Sequence, residues 1–284
     1  MRVVDFREVL ARYGQESISG VTFSAESGCV TALLGSTGSG PGLAASVAAG
    51  LVRVKSGYAR VLGQQPFNSY TVSLNCSYAS SRSKLPGRLY LDDYLLHQAR
   101  LYGFTPDEAR QALRLLGLWE VRHSRISKLG RSASEKAKLL TVFCRRAELA
   151  IIDGLDGAMD PDDAAFAFTR LLDAARDDGT SILLASSNSS FAREYSDRIV
   201  HFRDGSVTGS IDAASKDGRA RAILRVRVTD VIRASALPGV LGVEGNCILV
   251  RLPAHGTASL LSKLERMGID VVSMVTEMRE EGNG

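Results

Sequence analysis

A glycine-rich turn joins a short apolar run to a run of small residues near the start of this chain. Cys29-Val-Thr-Ala-Leu-Leu34 is short, apolar and rich in strand formers. Gly35-Ser-Thr-Gly-Ser-Gly40 follows, and Leu43 to Leu51 then reads as a helix with small packing residues. A buried strand that enters a glycine turn and opens into a helix sets backbone amides at a helix N-terminus. Such a turn can cradle an anion.

The rest of the chain repeats the strand-then-helix rhythm. Val21 to Ala25 alternates as a half-exposed strand, and Ser56 to Gly63 returns to strand character. From Leu89 to about Leu140, Leu, Tyr and Ala recur at helical spacing. Thr105-Pro-Asp-Glu108 is a helix start, with Thr as cap and acids in the first turn. Glu148 to Asp153 and Thr180 to Ala185 are two more buried strands, and Asp160-Pro161 starts a helix through Arg176. This alternation predicts a parallel α/β sheet with helices on its faces. After the turn signal Arg203-Asp-Gly205, residues 212–222 are polar and read as a linker. Ile223–Val228, Cys247–Leu252 and Ile269–Met274 then read as strands, with a helix over Thr257–Met267. Together these make a small α+β unit.

Bulk properties narrow the function. Hydrophobic residues make up 45% and charged residues 23%, as in an ordinary globular protein. The formal net charge of +4 is modest and no Lys/Arg run forms a stripe, so nucleic acid is not expected as a partner. Apolar stretches are broken by Gly, Ser or Arg before reaching the ~18–20 residues of a membrane span. Asp5, Arg7 and Glu8 sit where the apolar core of a signal peptide would lie. Cys29, Cys76, Cys144 and Cys247 are scattered and are expected to be free thiols. His97, His123, His201 and His255 are isolated, so no metal site is expected.

A phosphate loop reads G-x-x-x-x-G-K-[S/T]. Here Gly35, Ser36, Thr37, Gly38, Ser39 and Gly40 keep that frame, but Pro41 and Gly42 follow. The lysine would contact the β- and γ-phosphates, and the hydroxyl would hold Mg²⁺. Pro41 has neither a charge nor a backbone N–H, and Gly42 has no side chain. On the loop alone, a plain glycine turn and a degenerate phosphate loop fit equally well.

The wider frame is more specific. Ala32 to Gly40, and Gly50-Leu-Val-Arg-Val-Lys-Ser-Gly-Tyr-Ala-Arg-Val-Leu-Gly63, resemble the nucleotide-binding domains of ABC transporters. So do Glu148 to Asp153 with Asp160-Pro161, and Asp197 to Gly205. Leu224 to Met278, with Ala236-Leu-Pro-Gly-Val240 and Gly268-Ile-Asp-Val271, resembles the C-terminal domain of antibiotic- and polysaccharide-type exporter subunits. The resemblance implies a P-loop-type ABC domain over 1–211, with a helical subdomain at about 85–142. The linker 212–222 and a small α+β domain over 223–284 complete it.

The resemblance also assigns positions. Tyr13 stands where an aromatic residue stacks on adenine, although a packing tyrosine fits as well. Asp153 stands at the magnesium-linked aspartate. The glutamine that links Mg²⁺ to the membrane domain is Ser81, the catalytic glutamate is Gly154, and the switch histidine is Ser187. The LSGGQ signature becomes Leu129-Gly-Arg-Ser-Ala133. Asp160 matches an aspartate that crosses between paired subunits, and Asp-Pro is equally a helix cap, the reading its chemistry favours. Groups of these kinds are each worth factors of ~10²–10⁵ in rate, so negligible hydrolysis is expected. Weak or absent ATP binding and no Mg²⁺ are expected for the same reason.

The implied role is a pseudo-ATPase subunit at the inner face of the cell membrane. It would pair with a second ATP-binding subunit and dock on a transmembrane permease subunit. Tyr78, Leu85, Leu89, Tyr90 and Tyr94 would line the groove for that permease, or else form ordinary core. The alternative is a scaffold that keeps the fold only as an interaction surface. A working ATPase that recruits Lys55 or Lys84 finds no support in their spacing.

Overall fold

The computed structural model describes residues 1–145, 147–212, 222–235, 240–252, 264 and 267–277. The chain divides into two compact units, Met1–Ala213 and Ala214–Gly284.

The first unit is built on β3 (Val30–Leu34), β5 (Cys76–Ser80), β6 (Leu149–Asp153), β7 (Ser181–Ser186), β8 (Arg198–Arg203) and β9 (Ser206–Asp212). They form one sheet in the order β5-β6-β7-β3-β8-β9, parallel except for β9. β3, β6 and β7 are buried at every residue. Alternate side chains serve opposite cores. Ala150, Ile152, Ile182 and Leu184 join the helical side, while Leu149, Ile151, Leu183 and Ala185 join the other. A strand covered on both faces reads as a continuous apolar run rather than an alternating one, which is why these strands are plain in the sequence.

The helical side is packed by α3 (Leu91–Tyr102), α4 (Pro106–Leu115), α5 (Arg131–Arg145), α6 (Pro161–Asp178) and α7 (Ser189–Tyr195). The predicted start of α4 is a full capping box. The Glu108 amide donates to Thr105 Oγ1 at 3.2 Å, and the Thr105 amide donates to Glu108 Oε2 at 2.7 Å. The other face carries α1 (Pro41–Ala48), the short α2 (Tyr70–Asn75) and an antiparallel sheet of β1 (Arg2–Tyr13), β2 (Glu16–Glu26) and β4 (Val54–Val61), in the order β2-β1-β4.

β1 is not evident from the sequence. Its register slips between Phe6 and Val9, so the two-residue alternation breaks there. Glu8 takes a positive φ of 49° at the slip, and Gly57 of β4 lies against it. A Cβ on Gly57 would fall 2.1 Å from the Glu8 carbonyl oxygen, so only glycine fits.

The second unit is an antiparallel sheet of β10 (Ala222–Val228), β11 (Val240–Glu244), β12 (Cys247–Leu252) and β13 (Val271–Glu277), in the order β11-β12-β10-β13, with the short helix α8 (Val231–Ser235). Val226, Val228, Ile248, Val250 and Leu264 form its core. Of the expected linker at 212–222, residues 213–221 lie outside the described residues, as do 236–239 of the Ala236–Val240 motif and most of the expected helix at 257–267; Asp212 ends β9 and Ala222 starts β10. All four cysteines are free. Burial pushes the Cys76 and Cys144 thiols up to about 12, while Cys29 and Cys247 are only half-buried.

Phe168 of α6 is 1% exposed, with its ring edge-on to Phe191 of α7 at 4.7 Å. Phe168→Ala leaves a cavity between α6 and α7 and should cost about 3–5 kcal/mol. Urea unfolding followed by Trp119, the one tryptophan, tests this within the first unit. A loss below about 1 kcal/mol would show that the site collapses around the truncation.

Candidate functional site

The glycine turn leaves the carboxyl end of β3 and feeds α1. In parallel α/β sheets, ligand sites lie outside the carboxyl ends of the strands. Here the ends of β5, β6 and β7 contribute Ser80, Asp153 and Ser186 to that crevice.

The turn is a packed loop. Gly38 and Gly40 take φ of +83° and +118°. A Cβ on Gly35 would lie 2.4 Å from Ser39 Oγ and 2.9 Å from the Phe202 carbonyl oxygen. One on Gly40 would lie 2.9 Å from Ile18 Cγ2. Glycine is therefore required at both positions by close approach. Ser39 is tied back into the loop: its amide and hydroxyl donate to the Ser36 carbonyl at 2.9 and 2.7 Å. Ser36, Thr37 and Gly38 remain exposed at the tip. Pro41 is buried at the first helical position, where its fixed φ suits the helix and its missing N–H is least costly.

Asp153 is the centre of the site. It is 7% exposed, and its Oδ2 accepts from three donors: Arg82 Nη2 at 2.7 Å, Ser80 Oγ at 3.0 Å and Tyr78 Oη at 3.1 Å. Arg82 Nη2 also lies 3.4 Å from the Gly42 carbonyl and from Ser46 Oγ, while Nη1 lies 3.7 Å from Glu16. Burial works to lower the Arg82 pKa, but hydrogen bonding and charge from Asp153 outweigh it, and the net shift is upward. Burial, then the Asp153 charge, raises the Tyr78 phenol. Tyr78, expected in the docking groove, is thus part of the Asp153 site. Arg82, which no motif singled out, also joins this site; its one signal in the sequence is its position directly after Ser81.

The residues beside Asp153 are shaped by glycine. Gly42 faces the carboxylate, and a Cβ there would lie 2.9 Å from Asp153 Oδ1 and 3.1 Å from Arg82 Nη2. Gly154 takes a φ of +67°, and its Cβ would lie 3.0 Å from Ser81 Oγ. Its amide donates to the Ala185 carbonyl at 3.0 Å, and the Ser81 amide donates to the Asp153 carbonyl at 2.9 Å. Lys138 of α5 donates to the Ser81 carbonyl at 2.8 Å and pairs with Glu135. Ser187 is exposed. Asp156, not singled out by any motif, is 6% exposed, and its Oδ2 accepts from Ser186 Oγ at 2.6 Å.

The remaining expected positions lie around this centre. Tyr13 ends β1 beside the β1–β2 turn and is 67% exposed, so it is not a packing tyrosine. In the Leu129–Ala133 segment, Ser132 Oγ donates to Asp160 Oδ2 at 2.9 Å and accepts from the Asp160 amide at 2.9 Å. This described bond of Asp160 runs to α5 of the same chain. Of the expected groove, Leu89 and Tyr90 are exposed, whereas Leu85 and Tyr94 pack against the helical core. Among the described residues no helix is long and apolar enough to cross a membrane, and no group of three His, Cys, Asp or Glu could hold a metal.

Glycine loop, buried aspartate at a neighbouring strand end, antiparallel β layer and helical subdomain together define the P-loop fold of ATP-binding-cassette ATPases. Solved structures of that class match it. An ATP-binding subunit of an ABC transporter superposes with a TM-score of 0.64 at 22% identity, over 76% of this chain and 92% of that one. A dimeric ATP-binding cassette bound to ADP and Pi gives 0.66 at 15% identity, over 75% and 99%. By sequence the chain is similar to the phosphonates import ATP-binding protein of Maricaulis maris, 25% identical over 225 residues, 71% of this chain and 85% of that protein. It is also similar to a lipoprotein-releasing system ATP-binding protein of Rhodospirillum rubrum, 33% identical over 110 residues, 38% of this chain and 48% of that protein. Against that second relative the chain spans about half the length. No protein-family model matches it.

Asp156 gives the site a pH signature. Burial first, and the nearby Asp153 charge, raise its pKa above 3.8, although Ser186 and two backbone amides oppose the shift. The native state therefore holds the proton more tightly than the unfolded chain. Stability from this group falls as pH rises from the ordinary carboxylate value through the raised native one, and stays low above it. Asp156→Asn should raise stability at neutral pH and flatten that slope, as read by urea unfolding across the acid range. An unchanged slope would assign the pH dependence to other groups.

Proposed function

We propose that this chain is a non-hydrolysing ATP-binding-cassette subunit of a membrane exporter, paired with an ATP-hydrolysing subunit and docked on a transmembrane permease subunit at the inner face of the membrane. The observation that carries it is Gly154. The residue after the buried strand-end aspartate has no carboxylate to orient or deprotonate water. Its backbone is left-handed and Ser81 closes on it, so a glutamate could not be restored there without strain. Pro41 and Gly42 support the same reading, since they offer the γ-phosphate neither a charge nor a hydroxyl. The exposed tip of the glycine loop and the exposed Tyr13 ring leave a face on which nucleotide could bind weakly through backbone donors and stacking.

Purified chain with Mg-ATP should release no phosphate above a mock preparation. Turnover that Asp153→Asn abolishes would sink the proposal, whereas turnover that survives it is a contaminant. The exposed pair Leu89 and Tyr90 is the part of the expected groove open to a partner. Leu89→Asp with Tyr90→Asp should abolish co-purification with the permease subunit, and full retention would remove this surface from the docking site.

A further inference from the structure

We infer that Arg82 is a resident cation: its guanidinium takes the place at Asp153 that a divalent metal would need, and the site is built to work without one. This deepens the reading of the site above by naming what fills it.

A carboxylate oxygen offers about two lone pairs, and Asp153 Oδ2 already receives three donors, from Arg82, Ser80 and Tyr78. A small divalent ion needs oxygen ligands at about 2.0–2.1 Å in near-octahedral array. All three donors instead aim hydrogens at the oxygen such an ion would use. The other oxygen, Oδ1, faces Gly42. The space for a side chain there is closed on one side by Asp153 at 2.9 Å and on the other by Arg82 Nη2 at 3.1 Å. Glycine at 42 suits the pair, because a side chain there would press on the Asp153 carboxylate and on the guanidinium, and one of them would have to shift. Magnesium does not fit this residue set while Arg82 is in place.

The position of Arg82 is over-determined. It reaches Asp153 at the end of β6, the Gly42 carbonyl and Ser46 hydroxyl on α1, and Glu16 on β2. The preceding residue, Ser81, is held by Lys138 and by the Asp153 carbonyl. The segment after β5 is therefore stapled to the glycine-loop helix by protein groups alone. Lys138, which reaches the Ser81 carbonyl, is itself paired with Glu135.

The full chain tests this with manganese(II) as the probe. Electron paramagnetic resonance should detect no bound ion that Asp153→Asn removes, and the melting temperature should not respond to magnesium or to a chelator. Arg82→Gln and Asp153→Asn should each lower the melting temperature, and the double variant should lose clearly less than the sum of the two. Manganese uptake by the wild-type chain that Asp153→Asn abolishes would overturn the inference, as would additive losses. Should Arg82→Gln not fold, Arg82→Lys keeps the charge without the fork. It should melt below wild type and still take up no manganese, and manganese uptake by it at wild-type melting temperature would count as refutation. Metal uptake without turnover would defeat this inference alone. Turnover dependent on Asp153 would defeat the non-hydrolysing reading instead.

Discussion

The first unit depends on how it keeps a negative charge at the edge of a buried sheet. Asp153 ends a strand that is covered on both faces, and it is itself 7% exposed. The Arg82 side chain that pairs with it is half exposed, so solvent screens part of the charge interaction. Arg82 supplies the charge, and Ser80 and Tyr78 supply neutral donors. Each comes from the strand next to β6 or the turn just after it. The ion pair therefore fixes the turn that follows β5, and that turn leads into the helical subdomain. Gly42 and Gly154 follow from the same constraint, since both keep side chains out of the space the pair and Ser81 occupy.

The two-faced sheet explains why this site sits where it does. Parallel strands buried on both sides have no polar face on which to build chemistry, so polar groups gather at their carboxyl ends. Ser80, Asp153 and Ser186 all occupy the last residue of their strands. Asp156 and Ser186 form a second polar pair one strand over. The glycine loop closes over the same end, packed against Phe202 and Ile18 rather than left open.

Much of this architecture was legible in the sequence. The buried strands β3, β6 and β7 appeared as short apolar runs because burial on both faces removes alternation. The start of α4 was legible because a capping box is a local device, complete within Thr105 to Glu108. The positions of Asp153, Gly154 and the glycine loop were legible from motif order. β1 was not, because its bulge at Glu8 breaks the alternation and is licensed by Gly57 on another strand. Tyr78 stood open between a docking groove and ordinary core, because an aromatic residue in a strand carries no mark of which way its hydroxyl points.

The strand–turn–helix frame was readable from the chain alone, as were proline at 41 and glycine at 42 and 154. These follow from residue identity and order, which need no neighbours to interpret. The meeting of Arg82 with Asp153 came only from the folded chain. Arg82 and Asp153 are 71 residues apart in the chain and 2.7 Å apart in space. No local pattern encodes that meeting, because it arises from two adjacent parallel strands ending together beside the helix that the glycine loop begins.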